Sequence, residues 1–296
     1  MSIFFSRTCS ATGRRLLKLA NRYSKDVIPG SVFVSGVEVK GLRPLGGFLQ
    51  PGITKAGRFS FAGMCNGRKV KVYSALRPEQ VQLRLAAQSL SNQQWAFPEI
   101  LAYDNSLIVE AWIEGTSIAH SGPETRKQAV AAVRGFFDSC WHSERFVGLA
   151  SEHPAAFCYL EDYLLRRLGV WCHLDVVARF MACWRECYRK LPAPRFLSHA
   201  DLSADNVFIE TGTNRVMFID NELLGVGKGW MMDPLNSFLG GDFDVVKESP
   251  IPINPGFVEL TWALRKAGSA LDGGQPMRAV ELMVTALESF GKGSRC

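Results

Sequence analysis

The chain has 296 residues, 47% of them hydrophobic and 21% charged, with a net charge of +6. That is enough apolar material for a large core in one or two domains, and the composition excludes wholesale disorder. No uninterrupted apolar run is long enough to span a membrane and the opening Met-Ser-Ile-Phe-Phe-Ser is too short for a signal-peptide core, so a cytoplasmic protein is expected. The eight cysteines (Cys9, Cys65, Cys140, Cys158, Cys172, Cys183, Cys187 and Cys296) include no Cys-x-x-Cys pair. This disfavours a disulfide scaffold or a zinc site and leaves them as small core hydrophobes.

Residues 1–30 carry six basic side chains against the single acid Asp26. The stretch Arg14 to Tyr23 suits a short basic amphipathic helix, and three readings fit it: an anchor for an anionic membrane surface, an organelle transit peptide, or a solvated helix packed on the domain. No basic-aromatic stripe follows, so nucleic acid is not an expected partner. From 31 to 73 the chain is strand-like and punctuated by glycine, with strands read at 31–40, 58–62 and 68–73 and a turn marked by Asn66-Gly67. In the last run, alternation places Lys69 and Lys71 on one face and Val70 and Val72 on the other. Pro78 and Glu79 open a helix through Leu83 and Leu90. Residues 97–103 and 106–112 read as two strands joined at Asp104-Asn105, with Glu114-Gly115 ending the sheet. Beyond 115, apolar spacing of three and four predicts helices over 123–140, 157–168 and 174–191. A basic segment over 1–30, a sheet lobe over 31–112 and a helical lobe over 113–296 are expected.

The chemistry concentrates at 199–222. His-Ala-Asp-Leu-Ser-Ala-Asp-Asn occupies 199–206, and Ile-Asp-Asn-Glu occupies 219–222. Two apolar runs, 206–210 and 215–220, flank Thr-Gly-Thr-Asn at 211–214, a hairpin signal that would return Asp220 beside Asn206. Phosphoryl transfer needs an oriented hydroxyl, a proton acceptor and metal-facing oxygens to offset the charge on the moving group. Asp201 suits the first two tasks, and Asn206 and Asp220 the third.

Over about residues 40–240 these features resemble the aminoglycoside phosphotransferase and choline-kinase-like family. The resemblance rests on Lys71 at a strand end, on the stretch 109–115 ending in Glu-Gly, on His199 to Asn206, on Ile219-Asp220, and on Asp233-Pro234 beyond Gly227 and Gly229. It implies a two-lobed, α+β protein-kinase-like fold, with an antiparallel-sheet N-lobe carrying one main helix and a mostly helical C-lobe. It also implies ATP or GTP with Mg2+ as cofactors. Lys71 would meet the α- and β-phosphates, with Glu79 as its acid partner, and Glu110, Ala111 and Trp112 would meet the base through backbone groups. Asp201 would act on the acceptor hydroxyl, while Asn206 and Asp220 would hold the metal. The loop 46–57 lacks Gly-x-Gly-x-x-Gly, and no Phe-Gly follows Asp220, which disfavours a protein substrate.

The expected acceptor is therefore a hydroxyl of a small molecule such as a sugar, an amino alcohol or an aminoglycoside-like compound. A kinase acting at the inner membrane surface on a lipid-linked or lipopolysaccharide-core sugar, anchored through residues 1–30, is the alternative. A pseudokinase that binds nucleotide and acts by partner contact is the third reading. Asp242, Asp244 and Glu248 are candidates for an acceptor cleft, against the simpler reading of a solvated loop.

Overall fold

The computed structural model describes residues 30–45, 59–75, 77–153, 164–190, 196–199, 202–227, 254–272 and 274–293. The basic segment 1–29, the loop 46–57, Asp201, Asp233 and the acids at 242–248 lie outside these residues. Two compact units form: the chain up to Val81 with Pro98–Trp112, and Gln82–Phe97 with the chain from Ile113 onward.

The first unit is a six-stranded antiparallel sheet in the order β1-β2-β3-β4-β7-β6. Its strands are β1 (Ser31–Val34), β2 (Val37–Pro44), β3 (Ser60–Cys65), β4 (Arg68–Ser74), β6 (Ile100–Tyr103) and β7 (Leu107–Ala111). The 31–40 run is not one strand. Ser35 and Gly36, with φ of 48° and 81°, turn it back on itself. Asn66 and Gly67, at 48° and 76°, do the same between β3 and β4, where the turn was expected. Positive φ at both turn residues matches the right-handed twist of the strands, so both hairpins close without splaying. Val34, Val39, Leu42, Phe61, Val70, Val72 and Val109 make the core on one face.

Asp104 closes the β6–β7 turn, accepting from the N–H groups of Ser106 and Leu107, each at 2.7 Å. Partial burial pushes its carboxyl up, but these bonds and that from the Ser106 hydroxyl together outweigh it and hold the carboxyl below its ordinary range.

Helix α1 (Pro78–Gln88) starts at the predicted proline. The second unit contains the rest of it, followed by β5 (Trp95–Ala96), β8 (Gly115–Ser117), α2 (Pro123–His142), α3 (Glu144–Glu152), α4 (Arg166–Gly169) and α5 (Asp175–Lys190). Then come β9 (Phe196–His199), β10 (Val207–Glu210), β11 (Val216–Phe218), β12 (Leu224–Gly227), α6 (Pro255–Asp272) and α7 (Pro276–Gly293). Among the described residues no helix is long and apolar enough to cross a membrane. Cys187 is disulfide-bonded, a bond that the expectation of mostly core-hydrophobic cysteines did not include. Cys140 does behave that way, with burial pushing its thiol well up and keeping it inert.

The packing of this unit supports β10 and β11. Strands β5-β11-β10-β8 form one sheet, and β9-β12 a two-stranded ladder. Trp95 stacks on Phe218 with ring centroids 5.5 Å apart, and Phe136 of α2 meets both rings edge-on at 5.2 and 5.1 Å. Such pairs contribute about 0.5–1.5 kcal/mol each beyond the area they bury. They anchor the end of β11 two residues before Asp220.

The six-stranded sheet ends at β7, just before Gly115, as expected. Gly115 itself opens β8 of the second unit's sheet, which pairs with β10 and places Gly115 opposite Glu210. A Cβ on Gly115 would lie 2.2 Å from the Ile209 carbonyl oxygen. A strand backbone cannot rotate away as a side chain could, so Gly115→Ala should cost about 3 kcal/mol, at the upper end of overpacking penalties. Urea unfolding should show a lower midpoint with an unchanged slope, and a midpoint equal to wild type would remove the close-approach argument.

Candidate active site

In the second unit, β9 delivers His199 into a fully buried position, and β10 starts eight residues later. The described residues between them are held at several points. Leu202 and Ala204 are buried, the Leu202 N–H donates to the His199 carbonyl at 3.1 Å, and the Ala204 carbonyl accepts from the Ala119 N–H at 3.2 Å. The Asn206 N–H closes a turn on the Ser203 carbonyl at 2.8 Å.

Ile219 is the junction of the site. Its N–H donates to the Asn206 carbonyl at 2.9 Å, and its own carbonyl lies 3.0 Å from Nε2 of His199. A carbonyl can only accept, so His199 carries its proton on Nε2. Both backbone groups of Ile219 are thus tied to the 199–206 motif, and the hairpin register Val207↔Phe218 brings Asn206 next to the start of Asp220. Asp220 then takes φ 62° and ψ 44°, a left-handed conformation that aspartate tolerates better than most residues. It leads into a 3-10 turn, Asn221–Leu223, in which the Asn221 amide donates to the Phe218 carbonyl at 3.1 Å. Asn206 and Asp220 are both half-buried. One amide and one carboxylate oxygen donor, fixed to one backbone frame, suit a hard divalent cation.

In the first unit, Lys71 of β4 sits opposite Glu110 of β7. It lies on the sheet face away from Val70 and Val72, as the alternation predicts. Its Nζ lies 5.2 Å from the centroid of Tyr73, two residues on and on the same face. The Tyr73 hydroxyl donates to Glu110 Oε1 at 2.7 Å. Lys69 lies 4.0 Å over the Trp112 ring. The N–H groups of Ala111 and Trp112 donate to the carbonyls of Glu99 and Lys69, at 2.8 and 3.1 Å. Those two donors are committed to the sheet. Glu79 is exposed in the first turn of α1, where the helix dipole favours an acid, while Gln80 beside it is buried. Sequence reasoning missed Tyr73 and the burial of the Glu110 carboxylate, although the spacing of two between Lys71 and Tyr73 did signal a shared face.

An antiparallel-sheet unit and a mostly helical unit, in which a strand carrying a buried histidine leads into the β10–β11 hairpin, make a mixed α+β chain with a kinase-like fold. No family model and no curated protein matches the sequence. The fold is shared with a solved aminoglycoside phosphotransferase, a thermostable mutant of APH(4)-Ia in its apo form. The TM-score is 0.51 at 13% identity, covering 86% of this chain and 96% of that one. The ternary complex of APH(2'')-IIa with streptomycin and ATP gives a TM-score of 0.49 at 14% identity over 83% of this chain and 92% of that one. ADP-bound APH(2'')-Ib gives 0.48 at 15% over 84% and 92%.

Proposed function

We propose that the protein is a magnesium-dependent phosphotransferase that moves the γ-phosphoryl group of ATP or GTP to a hydroxyl of a small molecule. The observation that carries this reading is the double tie of Ile219, which fixes Asn206 and Asp220 to one frame. In this reading the first unit takes the nucleotide, with Lys71 on its phosphates and the backbone of 110–112 toward the base. The second unit supplies Asn206 and Asp220 to the metal, which offsets charge on the phosphates when bound. Asp201 accepts the proton as the acceptor oxygen bonds to the γ-phosphorus and the bridging oxygen leaves with the nucleoside diphosphate.

The name of the fold relative supports a small-molecule acceptor. Charge argues against a polycationic one, because α4 and α5 carry Arg166, Arg167, Arg179, Arg185, Arg189 and Lys190. The direct test is calorimetric titration of the purified protein with ATP and with GTP, each with and without magnesium. Magnesium-dependent binding of at least one nucleotide is expected. Absence of binding by both would overturn the reading in favour of a partner-binding pseudokinase. A positive result leads to a screen of sugars, amino alcohols and aminoglycosides for transfer of labelled γ-phosphate.

A further inference from the structure

The sequence offers Glu79 as the acid that would hold Lys71, but the structure leaves Glu79 exposed and presents a different carboxylate. Glu110 is 1% exposed, although glutamate is among the residues least often buried without a partner. It lies directly across the β4–β7 ladder from Lys71, where facing Cβ atoms stand about 4.5–5.5 Å apart, within reach of both side chains. Tyr73, on the same face and under the Lys71 ammonium, donates its hydroxyl to Glu110.

We infer that Glu110 is the positioning residue for Lys71: its buried carboxylate, held by Tyr73, is the counter-charge that orients the ammonium toward the nucleotide phosphates. The acid therefore comes from the strand leading into the base-binding segment and not from the helix. A buried carboxylate is a strong counter-charge because little solvent screens it. Lys71, half-buried, keeps part of its surface open to a ligand. The flat Tyr73 ring limits the directions the lysine stem can take, and its π-face favours the ammonium above it.

This inference rests on the phosphotransferase reading, and the test separates the two. Wild type, Lys71→Met, Glu110→Gln and the double variant are titrated with MgATP and with adenosine, which lacks the phosphates. Glu110→Gln keeps the shape and an acceptor for Tyr73 while removing the charge. Each single variant should weaken MgATP about tenfold and leave adenosine within about twofold, and the double variant should bind MgATP no more weakly than Lys71→Met. Equal weakening of both ligands, losses that multiply in the double variant, or wild-type MgATP affinity in Glu110→Gln would each overturn the inference. If Glu110→Gln loses its cooperative thermal transition, Glu110→Asp, which retracts the charge by one methylene, runs the same cycle, and multiplying losses there overturn it too. Failure of the wild type to bind either ligand would remove the phosphotransferase reading and this role with it. A normal response to Lys71→Met beside an unaffected Glu110→Gln removes the role alone.

Discussion

Replacing Asp220 with alanine should make nucleotide binding indifferent to magnesium and lower phosphoryl transfer by about three orders of magnitude, about 4 kcal/mol of transition-state stabilisation. The size follows from what the carboxylate is placed to do. Its neighbour Ile219 is tied through both backbone groups, so the Asp220 Cα cannot drift to let another side chain replace it. Asn206 alone offers a neutral oxygen, and a hard dication loses most of its attraction when the charged ligand goes. Asp220 also sits in the left-handed region, where alanine adds a backbone cost of about 1 kcal/mol. Asp220→Asn avoids that cost, because asparagine tolerates the conformation. Both variants should therefore lose the magnesium effect, with alanine alone less stable. Calorimetry with and without magnesium decides the matter: an unchanged ratio of affinities in either variant would contradict the metal role.

The parts of the fold that were legible in the sequence are those specified by neighbours in the chain. The β10–β11 hairpin was readable because Thr-Gly-Thr-Asn separates two apolar runs, and Gly212 and Asn214 do take positive φ of 90° and 55°. Alternation in Arg68 to Tyr73 gave the faces of Lys71 and Val70 correctly. The β1–β2 turn had a signal that went unread: the valines fall at 32, 34, 37 and 39, and the break in the period of two between the cross-strand partners Val34 and Val37 marks the turn.

The parts that were not legible depend on residues far apart. The pairing of Gly115 in a second sheet was hidden because its partner Glu210 is ninety-five positions away. Burial of charged groups was equally hidden. The inward face of α1 includes Gln80 and Arg84, not only the leucines that the spacing picks out. Arg84 is accommodated there with its guanidinium 5.2 Å over the Phe97 ring. Glu110 was read for its backbone alone, because composition gives no reason to expect a buried carboxylate on a strand. At both Lys71 and the β10–β11 hairpin, the charged residue was readable from the sequence, while the groups that lie against it became visible only through long-range pairing.

Asp201→Ala should lower turnover by about two to four orders of magnitude, about 3–5 kcal/mol, while MgATP affinity stays within a few-fold of wild type. The expectation differs in kind from that for Asp220, because Asp201 is assigned to the acceptor proton and not to the metal. The described residues on either side are well held: His199 is buried and bonded to Ile219, and the buried Leu202 returns its N–H to the His199 carbonyl. Positional precision is what a proton acceptor requires. Asp201→Asn serves as the isosteric control, keeping a hydrogen-bond acceptor for the hydroxyl but no basicity. If orientation alone were the role, asparagine would recover most of the activity. If proton acceptance is the role, asparagine should be as slow as alanine. Turnover with an acceptor found by the labelled-phosphate screen, read beside calorimetric MgATP affinity, separates these outcomes. An alanine variant within tenfold of wild-type turnover would remove Asp201 from the chemistry, and a parallel loss of MgATP affinity would reassign it to the metal.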